Sequence, residues 1–201
     1  MPYQHEAMLS QRADSVPLLK LLLERKNRAT AEHCERVMRY SVQLACEAGV
    51  TGDAMHAVAN GALLHDIGKL HVPSDLLAYP GPLEDDAMAL VRTHALRGED
   101  LLRRFPGLRM KDIARIVGAH HEWFDGSGYP RGLAARAIPY GARIVAICDA
   151  FDAMTAGRCY QRPRSYAAAI EELVACSGTQ FDPELVRTFV GMGERYFRIS
   201  S

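Results

Sequence analysis

The residues with the clearest chemical potential lie in Ala62-Leu63-Leu64-His65-Asp66-Ile67-Gly68-Lys69. An apolar run leads into a histidine and an aspartate side by side, and a lysine follows three residues later. Neighbours on a helix point roughly 100° apart. His65 and Asp66 are therefore poor partners for a single ion but suited to two adjacent ions, with the carboxylate bridging and the imidazole binding one of them. Lys69 is placed to meet a phosphate. The alternative for the dyad alone is a histidine that caps a helix end. A second pair, His120-His121, closes another apolar stretch (Ile113, Ile116, Val117), and His33, His94 and Asp149 stand in three further helical stretches. Nitrogen and oxygen donors without thiolates suit iron, manganese, nickel or zinc. His33, His65, Asp66, His94, His120, His121 and Asp149 are too many for one open tetrahedral site and suit two metals sharing Asp66. Two ions about 3.5–4 Å apart can clamp a phosphate for in-line displacement by water. Taken alone, a histidine such as His33 on a helix face is more often a satisfied core residue than a ligand.

The elements that position these residues read as helices. From about Glu6 to Arg25, Leu9, Val16, Leu19, Leu22 and Leu23 recur at helical spacing, with Pro17 a place for a kink. This is either a first domain helix or the remnant of a linker. Helices are expected over Thr30–Ala48, ended by Gly49, and from Asp53 to the His65-Asp66 pair, ended by Gly68 in a left-handed turn. Leu70–Leu83, with Pro73, Pro80, Gly81 and Pro82, reads as a loop containing a turn of helix. Leu83–Arg104 reads as one helix, acidic first and basic last, with His94 in its middle. Lys111–His121, Pro139–Thr155, Tyr166–Cys176 and Pro183–Phe197 complete an all-α chain. Between them, Glu122 to Pro130 forms a shaped loop beside the paired histidines, and its aromatics are available to stack on a nucleobase. Asp149 and Asp152 share a face of an apolar helix, where a carboxylate needs a partner or a metal.

At 201 residues the chain is sized for a single core, and its formal net charge of zero argues against a general DNA or RNA surface. No apolar run is long enough to span a membrane, and the N-terminus has no signal-peptide core. The five cysteines show no C-x-x-C pair and read as reduced thiols, which places the protein in the cytoplasm.

Four motifs together, His65-Asp66-Ile67-Gly68-Lys69, His120-His121-Glu122, Asp125-Gly126-Ser127-Gly128-Tyr129-Pro130 and Gly178-Thr179-Gln180-Phe181-Asp182-Pro183, resemble those of the HD-GYP phosphodiesterases, a branch of the HD-domain metal-dependent phosphohydrolases. The resemblance implies an HD-domain helical bundle over residues 29–201, preceded by the helix of residues 1–28, with the metal centre between helices. It implies hydrolysis of cyclic di-GMP to pGpG, and in some members on to GMP. It makes the seven residues above ligands, with iron foremost. It makes Asp66 and Lys69 catalytic, Lys69 and Arg158 phosphate contacts, Gly128-Tyr129-Pro130 part of the substrate-side loop, and Asp152 an orienting partner of Lys69 or Arg158. A diguanylate cyclase domain protein is the partner of the alternative reading as a binding module, and a homodimer is left open. Two departures stand out. Family members with three metals carry a glutamate four residues before the first histidine, where this chain has Ala29. The stretch Ala156-Gly157-Arg158-Cys159-Tyr160-Gln161-Arg162 lacks the usual acid before and proline after the arginine, and Gln161 replaces a commonly basic residue. Two other readings remain open on sequence grounds: a module that binds a cyclic dinucleotide or a protein partner with little turnover, and a hydrolase of a related cyclic dinucleotide.

Overall fold

The computed structural model describes residues 15–106, 108–156 and 162–194. Arg158, Gly157, Cys159 and Gln161 lie outside the described residues. The fold is all-α, as the periodicity implies: α1 (Ser15–Lys26), α2 (Arg28–Glu47), α3 (Gly52–Leu64), a 3-10 turn (Ile67–His71), α4 (Ser74–Leu77), α5 (Asp85–Arg92), α6 (His94–Arg103), α7 (Leu108–Ala119), a second 3-10 turn (Ala135–Ala137), α8 (Tyr140–Thr155), α9 (Tyr166–Ala175) and α10 (Pro183–Met192). Pro17 causes no break, because it lies in the first turn of α1, where the missing N–H has no helical partner to lose. Asn27 separates α1 from α2 by accepting the Thr30 amide at 3.0 Å.

The apolar side chains form two clusters. One gathers Val37, Leu44, Ala62, Ile116, Val145, Phe151 and Phe189. The other gathers Val16, Leu19, Leu23, Cys34, Leu64, Ile67, Leu102 and Val117, so α1 packs into the same core as the helices around the dyad. Helices α2, α3 and α7 contribute to both clusters, and His33, His65, His120 and His121 lie on or just beyond these helices, while His94 opens α6.

Two expectations need correction. Leu83–Arg104 is not one helix: α5 ends at Arg92 and α6 begins at His94. The Thr93 hydroxyl donates to the Leu90 carbonyl at 2.6 Å, a local bond that competes with the helical ladder. His94 therefore opens a helix rather than sitting inside one. Gly68 does not terminate α3 with a left-handed turn, since α3 already ends at Leu64 and Gly68 is absent from the glycines with positive φ. Its small size serves close approach. A Cβ at Gly68 would stand 1.9 Å from the His94 carbonyl oxygen and 2.6 Å from the Gly98 nitrogen. Both are backbone atoms, so relief requires moving the 3-10 turn away from α6, and the dyad with it. Gly68→Ala is expected to cost about 1–3 kcal/mol or more, read as a fall in the denaturation midpoint. An unchanged midpoint would show that the turn and α6 can separate freely.

Candidate metal centre

Three of the histidines are held by one device. His65 follows the last residue of α3, His94 opens α6, and His120 follows α7. Each places Nδ1 against the carbonyl three residues back: Ala62 at 2.7 Å, Val91 at 2.8 Å and Val117 at 2.7 Å. The carbonyls of a helix's last turn lack intrahelical donors, and the imidazoles supply them. A carbonyl only accepts, so Nδ1 carries the proton and each neutral ring turns an Nε2 lone pair inward. Those lone pairs converge. The Nε2 atoms of His94 and His120 are 3.3 Å apart, and His94 Nε2 is 3.4 Å from Asp66 Oδ1. His65 Nε2 lies 3.6 Å from Asp66 Oδ2 and 3.9 Å from Asp149 Oδ1. Buried acceptors facing one another with no proton between them are unfavourable alone, and a cation is the group that reconciles them. This donor chemistry fits the metal pair that the sequence implies.

The structure brings all the sequence-derived ligand candidates together. Donor atoms lie within 4.8 Å of one another in three groups: His94, His120 and His121; His33, His65 and Asp66; and His65, His120 and Asp149. The first two groups follow the division of ligands between two ions expected from the sequence, except that Asp66 falls in the second group alone, and the third links them. His65, Asp66, His94 and His120 are buried.

Burial and charge set the protonation of the metal-free cluster. Burial pushes His94, His120 and His121 down, His121 to about 3, and so keeps them neutral and ready to ligate. Burial opposes the charge on Asp66 too, but the Lys69 ammonium beside it outweighs burial and holds its carboxyl well below the usual range. His33 goes the other way. Burial lowers it, yet hydrogen bonds to Asp149 and Asp152 carry it up to about 9. His121 therefore contributes stability above its unfolded value of 6.5 that is lost as pH falls towards 3. His33 contributes stability below 6.5 that is lost as pH rises through about 9. Thermal melts of metal-free protein are expected to peak near neutral pH and to fall on both sides. A midpoint that climbs steadily into alkaline buffer would contradict the His33 pairing.

Asp152 does not orient Lys69. Its Oδ2 accepts from His33 Nδ1 at 2.7 Å, and Arg36 donates to both its oxygens at 2.7 and 2.9 Å. It thus fixes the His33 ring with Nε2 towards Asp149, 3.1 Å away, which is what a ligand's outer partner does. Arg36 stands three residues after His33, on the same helix face, and that spacing is the sequence signal of this pairing. Lys69 Nζ instead lies 2.6 Å from Asp66 Oδ2.

The loop after His121 is held by contacts that its motif did not reveal. Buried Glu122 accepts the backbone amides of Arg131 at 2.7 Å and Leu133 at 2.9 Å. The amides of Phe124 and Asp125 donate to the Gln180 and Thr179 carbonyls, which is why two motifs so distant in sequence belong to one structure. Gly128 is obligatory because a Cβ there would lie 2.2 Å from the Trp123 nitrogen. The Tyr129 amide donates to the His121 carbonyl at 3.1 Å, and the Tyr129 ring stacks on the His121 imidazole with centroids 4.8 Å apart. Tyr129 and Pro130 thus form a wall immediately beside the ligand cluster.

Known proteins resemble this chain in sequence and in fold. The chain is 37% identical over 173 residues to a cyclic di-GMP phosphodiesterase of Thermotoga maritima, an alignment covering 86% of this chain and 47% of that protein. It is 35% identical over 177 residues to 3'3'-cGAMP-specific phosphodiesterase 2 of Vibrio cholerae, covering 88% and 34%. It therefore spans less than half the length of these curated relatives. The crystal structure of a cyclic GMP-AMP-specific phosphodiesterase of Vibrio cholerae superposes with a TM-score of 0.65 at 18% identity, over 91% of this chain and 51% of that one, and so shares the fold. The HD-domain family model matches residues 17–185, which include every one of the candidate ligands. With its His65-Asp66 pair at the centre of a buried histidine and carboxylate cluster, this chain belongs to the HD-domain family.

Proposed function

We propose that this domain is a metal-dependent phosphodiesterase that hydrolyses cyclic di-GMP to pGpG. The observation that carries the reading is the convergence of the His65, His94 and His120 Nε2 lone pairs on Asp66 and Asp149. His33, His65, Asp66 and Asp149 would hold one divalent ion, iron foremost, and His94, His120, His121 and Asp66 the other. When bound, the pair supplies Lewis acidity and a water of lowered pKa. The protein's own part is positional. Asp66 spans the two sets, Lys69 brings a cation to the rim beside it, and Tyr129-Pro130 wall the substrate side. The names of relatives at 35–37% identity support a cyclic dinucleotide substrate. The Vibrio cholerae relative named for cGAMP makes a hybrid dinucleotide the second reading. A diguanylate cyclase partner, a homodimer, phosphate contact through Arg158 and a cytoplasmic location rest on the sequence and its family resemblance. No described helix is long and apolar enough to cross a membrane.

Ala29 bears on the metal count. It stands one helical turn before His33 and is exposed, and its methyl group offers no donor to a third ion. Two ions and accumulation of pGpG are therefore expected. The test is turnover of labelled cyclic di-GMP by protein of measured metal content, with anomalous scattering to count sites. Metal-replete protein that leaves cyclic di-GMP intact would overturn the enzyme reading, and three well-occupied ions would overturn the count.

A further inference from the structure

A cavity of about 430 Å³ opens beside the ligand cluster, lined by Asp85, Met88, Arg92 and Leu96 on one side and by Tyr129 and Pro130 on the other. Its size falls in the range of small-molecule sites. Tyr129 joins it to the metal centre, since the same ring stacks on His121 and lies under the Arg92 guanidinium, 5.3 Å from the ring centroid. Thr93, which also lines the cavity, adjoins His94. Met88 and Leu96, 36% and 37% exposed, present apolar surface to the cavity. The lining thus combines apolar walls with one cation and one carboxylate, two turns apart along α5.

Resting on the phosphodiesterase reading above, we propose that this cavity is a guanine subsite, in which Arg92 and Asp85 make the enzyme select guanine over adenine in the cyclic dinucleotide. The chemistry is a matching of edges. Guanine offers two acceptors, O6 and N7, to an arginine fork, which binds them bidentately. Its N1–H and exocyclic N2–H then face a carboxylate. Adenine puts an amino group where guanine has O6, so it meets Arg92 donor to donor, and it lacks both hydrogens that Asp85 would accept. The apolar faces of Met88, Leu96 and Pro130 receive either base alike and carry no preference. Discrimination therefore resides in the two charged side chains.

The test compares cyclic di-GMP with cyclic di-AMP, in wild-type protein and in Arg92→Ala, Arg92→Lys and Asp85→Asn, all with metal content measured. Wild type is expected to favour cyclic di-GMP in kcat/KM. Arg92→Ala should shrink that ratio by about tenfold to a hundredfold, the discrimination of one bidentate contact. Arg92→Lys keeps the charge but not the fork, and should shrink it nearly as much. If both substrates lose equally in the Arg92 variants, the arginine serves phosphate or structure and the guanine subsite is wrong. An unchanged ratio overturns it as well. If wild type cleaves neither dinucleotide, the phosphodiesterase reading fails by itself, and the subsite is then read from dissociation constants. A preference for cyclic di-GMP that Arg92→Ala abolishes would sustain it, and equal affinities in wild type would end it.

Discussion

Asp66→Ala is expected to abolish phosphodiester hydrolysis and to lower metal content. The carboxylate lies between the two halves of the cluster, with Oδ1 3.4 Å from His94 Nε2 and Oδ2 3.6 Å from His65 Nε2. Asp149 also reaches both halves, within 4.8 Å of His65 and His120, but it lies farther from His65, at 3.9 Å. Loss of an outer partner of a metal ligand costs about 10–100-fold in affinity or activity, and loss of a ligand shared by two ions should exceed that. The variant also leaves Lys69, which donates to Asp66 at 2.6 Å, beside the histidines without its anion. Metal-free Asp66→Ala should therefore gain nothing from the removed charge. The measurements are metal content by elemental analysis and turnover of cyclic di-GMP in the same sample. A variant with full metal content and near-normal turnover would remove Asp66 from the bridging role.

How far the sequence disclosed this site depends on the range of the interaction concerned. The helices and their apolar faces were legible because period and caps are local: Gly49 ends α2 in a left-handed turn, and Pro183 opens α10 behind the capping Asp182. The ligand candidates were legible because histidines and carboxylates at the ends of apolar helices are costly without a partner. Features set by distant contacts were not. Asp152 and His33 are 119 residues apart, and only folding shows that Arg36 and His33, rather than Lys69, take that carboxylate. Gly68 was read as a helix stop because a glycine after an apolar helix carries that local meaning; its requirement for space comes from the His94 carbonyl, which no sequence spacing announces. The break at Thr93 lay in between. A threonine that bonds its own helix is a local event, but the acidic-to-basic gradient across Leu83–Arg104 favoured one continuous helix and concealed it. Glu122 stood inside a recognised motif and still gave no hint of its partners, because backbone amides leave no mark in sequence.

Lys69→Ala is expected to keep its metals and lose turnover by about 10²–10³-fold, the scale on which one donor to a developing charge is lost. Burial disfavours the Lys69 cation, yet Asp66 outweighs burial and raises its pKa, so the lysine enters the site charged. In metal-free protein it is the counter-ion of Asp66, and its removal strands a buried carboxylate. With metal bound, cations neutralise that carboxylate, and the ammonium is available to a phosphate oxygen as a point charge. Lys69→Ala should therefore lower the melting temperature of metal-free protein far more than that of metal-loaded protein, while activity falls in the loaded form. Lys69→Arg restores charge but not the compact ammonium, so it should recover stability more fully than turnover. If metal is lost in step with activity, Lys69 acts only by supporting Asp66. A lysine that merely caps the 3-10 turn predicts little change in activity and equal, small shifts in melting temperature for both forms. The two-temperature comparison separates these outcomes without any assumption about which dinucleotide is the substrate.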